Sequence, residues 1–249
     1  MSVRLSPRDM VALTILAEMY GAPLDVVAEL LGVSVNRAYR ITAKWATARM
    51  ISDRRIRPVP GPSWVVPTKA TAESLVGQSV RFWVPSPKMA AHTKAVLQLR
   101  LALVGLDLAR WVSERQLRAG QGPVRAGETR PHIHDGRYFT EAGDLIAVEV
   151  EMTAKNEAQA KSAMWQAHRA AAAAGCAELH YFSKTPAIST VLRKVAGALD
   201  LSSPTARLFE LDKVLGATTT DSDTDTAAGE RAGLRVITGG ISTATGKAV

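Results

Sequence analysis

The sequence predicts an α/β protein in which a small helical part precedes a larger part of alternating helices and strands. Two patterns lead to this prediction. Apolar residues recur at helical spacing in three short segments between positions 6 and 49, and strand-like segments alternate with helical ones between positions 88 and 216. A chain of 249 residues has room for one small and one medium domain. We therefore expect domains at 1–84 and 88–216, joined by the stiff Pro85-Ser86-Pro87 segment, and a disordered tail at 217–249.

The composition favours a polyanionic partner. The net charge is +8 and the isoelectric point is about 9.9, so nucleic acid is the simplest partner. Cys176 is the single cysteine, which excludes an internal disulfide and suits a reducing compartment. The N-terminus lacks the apolar core of a signal peptide, and the most apolar stretch, 95–109, contains Arg100 and Asp107 and is too short to cross a membrane. We expect a cytoplasmic protein that does not contact membranes.

Three short helices are expected in the first part, at about 7–20, 24–31 and 35–49. Ser6 followed by a proline is typical of the start of a helix. Gly32 supplies the left-handed residue that a tight turn between helices needs, and Ser34 caps the third helix. The third helix carries residues at the spacing of a buried stripe: Ala38, Ile41 and Trp45.

Another face of the third helix is basic. Asn36 and Arg37 lie in its first turn, the part of a recognition helix that contacts base edges, and either side chain can bond to a base bidentately. Arg40 and Lys44 lie further along and suit contacts with phosphates. A basic face that is simply solvated, with no partner, is the alternative.

Two short strands, at about 50–57 and 63–66, are expected around a tip of prolines and glycine and would form a wing. Its arginines would contact the DNA backbone or minor groove: Arg54, Arg55 and Arg57. Together with the three helices, this layout indicates a winged helix-turn-helix that binds double-stranded DNA. A winged helix used for protein contacts is the alternative, and the cluster of cations makes it less favoured.

The larger part is expected to form a sheet flanked by helices. A long buried helix is predicted at 88–119, short strands at 130–136 and 137–139, and a strand at 145–152. A helix at 155–174, a strand at 178–182, a helix at 187–199 and a strand at 206–211 follow. Because apolar residues dominate both faces of the 145–152 segment, we place it at the centre of a mixed sheet in an αβββαβ arrangement.

Three acidic residues in this part form a candidate metal site. Glu149 and Glu151 share one face of the central strand, and two carboxylates on an apolar strand are costly unless a cation compensates them. If the preceding strand brings Asp135 alongside, the resulting oxygen ligands suit Mg²⁺. The alternatives are a turn role for Asp135, which precedes a glycine, and a buried salt bridge for Glu149.

Zinc is disfavoured at this stage. His132 and His134 fall on one face of a strand and could suggest it. No second pair of residues at ligand spacing accompanies them, and Cys176 with His180 complements them poorly.

The order of elements, with Asp135 in a turn and Glu149 on the third strand, resembles the restriction-endonuclease-like PD-(D/E)xK fold. The resemblance implies a Mg²⁺-dependent endodeoxyribonuclease in which Asp135 and Glu149 hold the ion. Glu114 matches the acid often found on the first helix of that fold. Glu151 stands where the lysine is expected and would be a further ligand, whereas Lys155 is placed as a migrated lysine that stabilises developing charge.

The whole layout resembles the replication-relaxation family of plasmids and mobile elements. The resemblance rests on the order winged helix, long helix, His-Asp-Gly at 134–136, Ala-Val-Glu-Val-Glu-Met-Thr-Ala-Lys at 147–155 and Leu-His-Tyr-Phe at 179–182. It implies DNA binding in the replication, relaxation or transfer of a plasmid, integrative element or phage, with a homodimer or replication and transfer proteins as partners. The alternative is a non-catalytic transcription or replication regulator whose nuclease-like domain serves dimerisation or partner binding.

Overall fold

The computed structural model describes residues 4–54, 56–122 and 130–220, and it begins with three helices. They are α1 (Pro7–Glu18), α2 (Leu24–Leu31) and α3 (Val35–Thr47). The Ser6 hydroxyl accepts a hydrogen bond from the Asp9 backbone N–H, and the Asp9 carboxylate accepts one from the Ser6 N–H. Gly32 ends α2 with a left-handed φ of 60°. The three predicted helices are confirmed, although α3 stops at Thr47 and Arg49 beyond it has a positive φ of 57°.

The segment after α3 folds back differently from the prediction. The short strands of this part are β1 (Ala22–Pro23) and β2 (Trp64–Val65). They pair with each other in antiparallel fashion. Among the described residues of the expected wing, two isolated bridges join its sides, Ile51 with Pro67 and Ile56 with Trp64. The regular strand predicted at 50–57 is therefore wrong, because β2 takes its regular partner from the turn before α2 rather than from the segment that precedes it.

A further helix, α4 (Lys69–Val76), was not among the predicted elements. The Thr68 hydroxyl caps it by accepting a hydrogen bond from the Thr71 N–H. It packs against α1, where Ala72 and Val80 cover Ala17. The N-terminal part therefore has four helices among the residues that the structure describes.

The long helix predicted at 88–119 is wrong, because the chain turns twice within it. The elements are α5 (Pro87–Val104), β3 (Trp111–Ser113) and α6 (Glu114–Gly120). Gly105 ends α5 with a φ of 60°. The Asp107 carboxylate then accepts a hydrogen bond from the Ala109 N–H in a local turn. Ser113 and Gln116 form a reciprocal capping box that starts a separate helix.

The core is a five-stranded mixed sheet with the order β3-β4-β5-β6-β7. The remaining strands are β4 (Gly136–Phe139), β5 (Leu145–Glu151), β6 (Glu178–Ser183) and β7 (Thr205–Glu210). The first three strands pair antiparallel and the last three pair parallel. The predicted central position of β5 is confirmed. The strand predicted at 130–136 is wrong. Residues 131–134 lie outside the sheet, and their histidines point toward β5 and toward the helix that follows β5.

Helices cover both faces of this sheet. The remaining ones are α7 (Glu157–Ala173), α8 (Pro186–Ala196) and α9 (Leu211–Thr220). Ala147 packs with residues of α7 and α8, whereas Ile146, Val148 and Val150 face the cluster that contains α5. The period of two along β5 therefore places Glu149 and Glu151 on the α7 side.

The tail was predicted to begin at residue 217, but a helix extends past that position. Helix α9 continues to Thr220, and Leu211, Val214 and Leu215 pack against the main apolar cluster, which explains why the chain stays ordered past β7. Residues 221–249, for which disorder was predicted, lie outside the described residues. Among the helices that the structure describes, none combines the length and apolarity needed to cross a bilayer.

One buried apolar cluster runs through both predicted domains. It includes Leu13, Val27 and Trp45 from the first part and Leu97 and Val148 from the second. A buried ion pair joins the parts as well, with Arg100 Nη2 3.2 Å from Glu18 Oε2. The first part is therefore held directly against the sheet domain.

Candidate nucleic-acid interface and metal centre

The basic face of α3 is open to solvent. Ala38 and Trp45 anchor the helix in the apolar cluster, which turns the opposite side outward. The residues predicted to contact DNA from this helix are all exposed: Asn36, Arg37, Arg40 and Lys44. No salt bridge within the described chain neutralises these three cations. The helix therefore presents unneutralised positive charge beside its exposed N-terminal turn.

Two arginines of the expected wing are also exposed. Arg54 is solvent-accessible, and Arg57 donates a hydrogen bond from Nε to the Ser63 hydroxyl at 3.2 Å, which fixes its direction. Arg55 lies outside the described residues. Val35 and Tyr39 of α3 are also exposed apolar residues, at 49% and 66%, and were not among the predicted contacts. Their spacing of one helical turn, next to the cations, could have indicated that they share this surface.

The structure brings Asp135 close to Glu149. The Asp135 carboxylate accepts a hydrogen bond from the Val150 N–H at 2.8 Å through Oδ2 and contacts His92 Nε2 at 3.0 Å through Oδ1. Burial raises the pKa of the Glu149 carboxyl well above its ordinary value, and the negative charge of Asp135 raises it further. These two acids therefore belong to one electrostatic cluster beside the central strand.

Histidines complete this cluster. His132 Nε2 lies 2.7 Å from Glu149 Oε1. Burial lowers the pKa of His132, but the hydrogen bond and charge of Glu149 outweigh that effect and raise it above its ordinary value. His134 is fully buried, its Nε2 lies 3.0 Å from the Ala167 carbonyl of α7, and burial lowers its pKa to about 4. One donor atom from each of His132, His134 and Glu149 lies within 4.8 Å of the others.

The other two predicted site residues of this segment pair with each other. Glu151 is buried on the same face of β5 as Glu149, and Lys155 forms an ion pair with it. Lys155 precedes α7, whose N-cap is Asn156. Its positive charge opposes the rise in the pKa of His132 to a small extent, so the ammonium lies near the cluster. Lys155 is thus engaged by Glu151 rather than free.

Glu114 lines a cavity that also reaches Asp135. The cavity has a volume of about 610 Å³, and its lining includes Glu114, His92, Asp135, Tyr20 and Phe82. Arg118 Nε donates a hydrogen bond to Glu114 at 2.8 Å. The negative charge of Glu114 contributes to raising the pKa of His92. Glu114 therefore faces the same space as Asp135 but is paired with an arginine.

The donor set does not match Mg²⁺ well. That ion prefers oxygen ligands in octahedral geometry. Here an imidazole contacts each of the two acids, Glu149 and Asp135, and a lysine occupies Glu151. Two imidazoles and one carboxylate form the tightest group of donors among the described residues.

The chain matches no family model, no curated protein and no solved structure.

His92 is the site residue that sequence reasoning missed. It lies on α5, 43 positions before Asp135, and no local pattern links the two. The sequence indicates the pair His132 and His134, but no local pattern identifies Glu149 as their third partner. The separation of 17 residues between His132 and Glu149 is closed by the irregular segment before β4, which the sequence predicted as a strand.

Proposed function

We propose that this chain is a double-stranded DNA-binding protein in which α3 enters the major groove. The observation that carries the proposal is the exposed, unneutralised basic face of a helix that follows α2 across a glycine turn. Arg37 and Asn36 at the start of α3 would contact bases, and Arg40 and Lys44 would contact phosphates. Arg54 and Arg57 would add backbone or minor-groove contacts.

The resemblance to the replication-relaxation family gives this activity a setting. We infer that the protein acts in replication, relaxation or transfer of a plasmid, integrative element or phage. The winged-helix and restriction-endonuclease-like assignments belong to the same proposal. The order α5, β3, β4, β5, α7, β6 supports the second assignment, with α6 inserted after β3. A homodimer, or replication and transfer proteins, would be its partners in the cytoplasm.

The test is a selection of DNA sites from a random library, followed by fluorescence anisotropy on the selected site. Arg37→Ala is expected to weaken specific binding by about 1–3 kcal/mol and to relax the preference at one base pair. Arg193→Ala removes the same charge from an exposed position of α8 and serves as the matched control. Equal losses in the two variants would show that α3 has no special role, and an unchanged Arg37→Ala variant would favour the protein-contact alternative.

A second candidate function is DNA strand cleavage at the cluster. Its support is the closeness of Asp135, which lines the cavity, to Glu149. Supercoiled plasmid incubated with the protein and Mg²⁺, Mn²⁺ or Zn²⁺ separates this function from a non-catalytic regulator. Nicking that Asp135→Asn and Glu149→Gln both abolish would support the nuclease. Specific binding without nicking in any of the metals would support the regulator.

A further inference from the structure

We propose that His132, His134 and Glu149 bind one divalent transition-metal ion of the Zn²⁺ type, in preference to Mg²⁺. Their donor atoms lie within 4.8 Å of one another, and the His132–Glu149 contact is already 2.7 Å. The inference concerns the sheet domain alone. It does not depend on DNA binding by α3.

The spacing is close to that of a filled site. Zinc–nitrogen and zinc–oxygen bonds of about 2.0–2.2 Å in tetrahedral geometry place neighbouring donors roughly 3.4 Å apart. On metal binding, the distance between His132 Nε2 and Glu149 Oε1 would have to increase slightly from 2.7 Å. The longest distance between two donor atoms, at most 4.8 Å, would have to decrease. His132 has the freedom for this adjustment, since its side chain is 21% exposed and lies in an irregular segment.

The hydrogen bond from His134 to α7 has the form that orients a metal ligand. Its Nε2 donates to the Ala167 carbonyl at 3.0 Å, which leaves the lone pair on Nδ1. Arg137 donates toward that nitrogen at 3.4 Å, a long contact that an incoming ion would replace. Metal-binding imidazoles characteristically donate their second nitrogen to a carbonyl or carboxylate, which sets the tautomer and the ring direction.

The two carboxylates of this position lie close together. Glu149 is 8% exposed and contacts His132, and Asp135 beside it contacts His92. Buried carboxylates are costly without compensation. A divalent ion would compensate Glu149 as a ligand and Asp135 through its charge nearby.

The nitrogen donors decide the class of ion. Imidazole suits zinc, copper, iron and nickel, whereas Mg²⁺ selects oxygen ligands. Two histidines with one glutamate leave a fourth position for water or another ligand, as in open zinc sites. The site would therefore hold Zn²⁺ against a large excess of Mg²⁺.

The experiment uses the full chain without an affinity tag, stripped of metal. Isothermal titration with Zn²⁺ is expected to show one site per chain that Mg²⁺ does not displace, and Co²⁺ is expected to give the visible absorption of a low-coordinate site. His132→Asn and Glu149→Gln should each weaken Zn²⁺ binding at least about tenfold. His168→Asn is the matched control, because His168 is buried on α7 and bonds to the Pro204 carbonyl away from the cluster.

Three results would overturn the proposal. They are no Zn²⁺ binding by the parent chain, displacement of Zn²⁺ by Mg²⁺, or an equal loss in the His168→Asn control. If Glu149→Gln does not fold, His132→Asn decides alone, because His132 is partly exposed. An Arg37→Ala chain should bind Zn²⁺ like the parent, so a failure of DNA binding and a failure of the metal site remain distinguishable.

Discussion

Replacing Gly136 by alanine tests how closely Trp111 of β3 packs over the start of β4, directly after Asp135. Gly136 opens β4 directly after Asp135, and the Trp111 ring of β3 lies over it. A Cβ at position 136 would be 2.2 Å from Trp111 Cζ2, whereas ordinary contact begins at about 3.4 Å. The ring or the strand must therefore shift by roughly 1.2 Å, and Trp111 is only 1% exposed and has no open space to enter. Overpacking of this kind costs about 1–3 kcal/mol.

Urea denaturation of the full chain measures this cost. Trp111→Leu removes the obstructing ring, so the penalty of Gly136→Ala should fall by more than half in that background, and the double variant should be less destabilised than the sum of the two single changes. Gly120→Ala is the control, because a Cβ there meets no atom within 4 Å and alanine favours helix α6. A penalty for Gly136→Ala below about 0.5 kcal/mol, or one that persists unchanged without Trp111, would refute the reasoning.

Three further predictions concern α3 and the ion pair between the two parts. Arg40→Ala and Lys44→Ala should each reduce the slope of log K against log salt by about 0.9 without altering site preference, as measured by anisotropy at several salt concentrations. Ser34→Ala removes the cap of α3 and should lower the free energy of unfolding by about 1 kcal/mol. Burial raises the pKa of Glu18 to about 7 despite Arg100, so the folded state binds this proton more tightly than the unfolded chain and stability from this group falls as pH rises from 4.5 to 7. The expected decline is about 3 kcal/mol, and Glu18→Leu combined with Arg100→Met should abolish it. Urea denaturation at several pH values across this range measures the decline, and a double variant that loses stability like the parent would contradict the prediction.

The sequence predicts elements best where local and tertiary signals agree. Helix α3 has a serine cap, a buried stripe and a polar face, and only its last residues differ from the prediction. Strand β5 is apolar on both faces, and it is the middle strand of the sheet. In these two cases the residues that define the element also define its burial.

The prediction of a single helix at 88–119 is wrong because a nearly continuous apolar run contains a reversal of the chain. The run of leucines through 97–108 suggests one helix, whereas Gly105 and the Ser113–Gln116 capping box divide it. The mixed five-stranded sheet gains β3 from this segment. Both stop and start signals were present in the sequence, but the apolar pattern outweighed them.

The acids of the candidate site could be proposed from the sequence, because two of them interrupt an apolar strand and the third lies at a turn. The histidines that contact these acids could not be proposed from the sequence. His92 reaches Asp135 from α5, and His132 reaches Glu149 only because residues 131–134 leave the ladder. Period-two counting applies to regular strands, so it placed both histidines on a strand face that does not exist.

Helix α5 makes the two parts of the molecule mechanically dependent on each other. It packs against β1 and α2 on one side and β4 and β5 on the other, and it carries both His92 and Arg100. A fragment cut at the predicted boundary near residue 84 would lose the apolar surface of α5 that covers α2, so it would expose residues that are buried in the intact chain. The position of α3 relative to the cluster is thus set by a packed helix rather than by the Pro85–Pro87 segment. For this reason the proposed DNA contacts of α3 and the proposed metal binding of the cluster must be tested on the whole chain, where the same helix supports both.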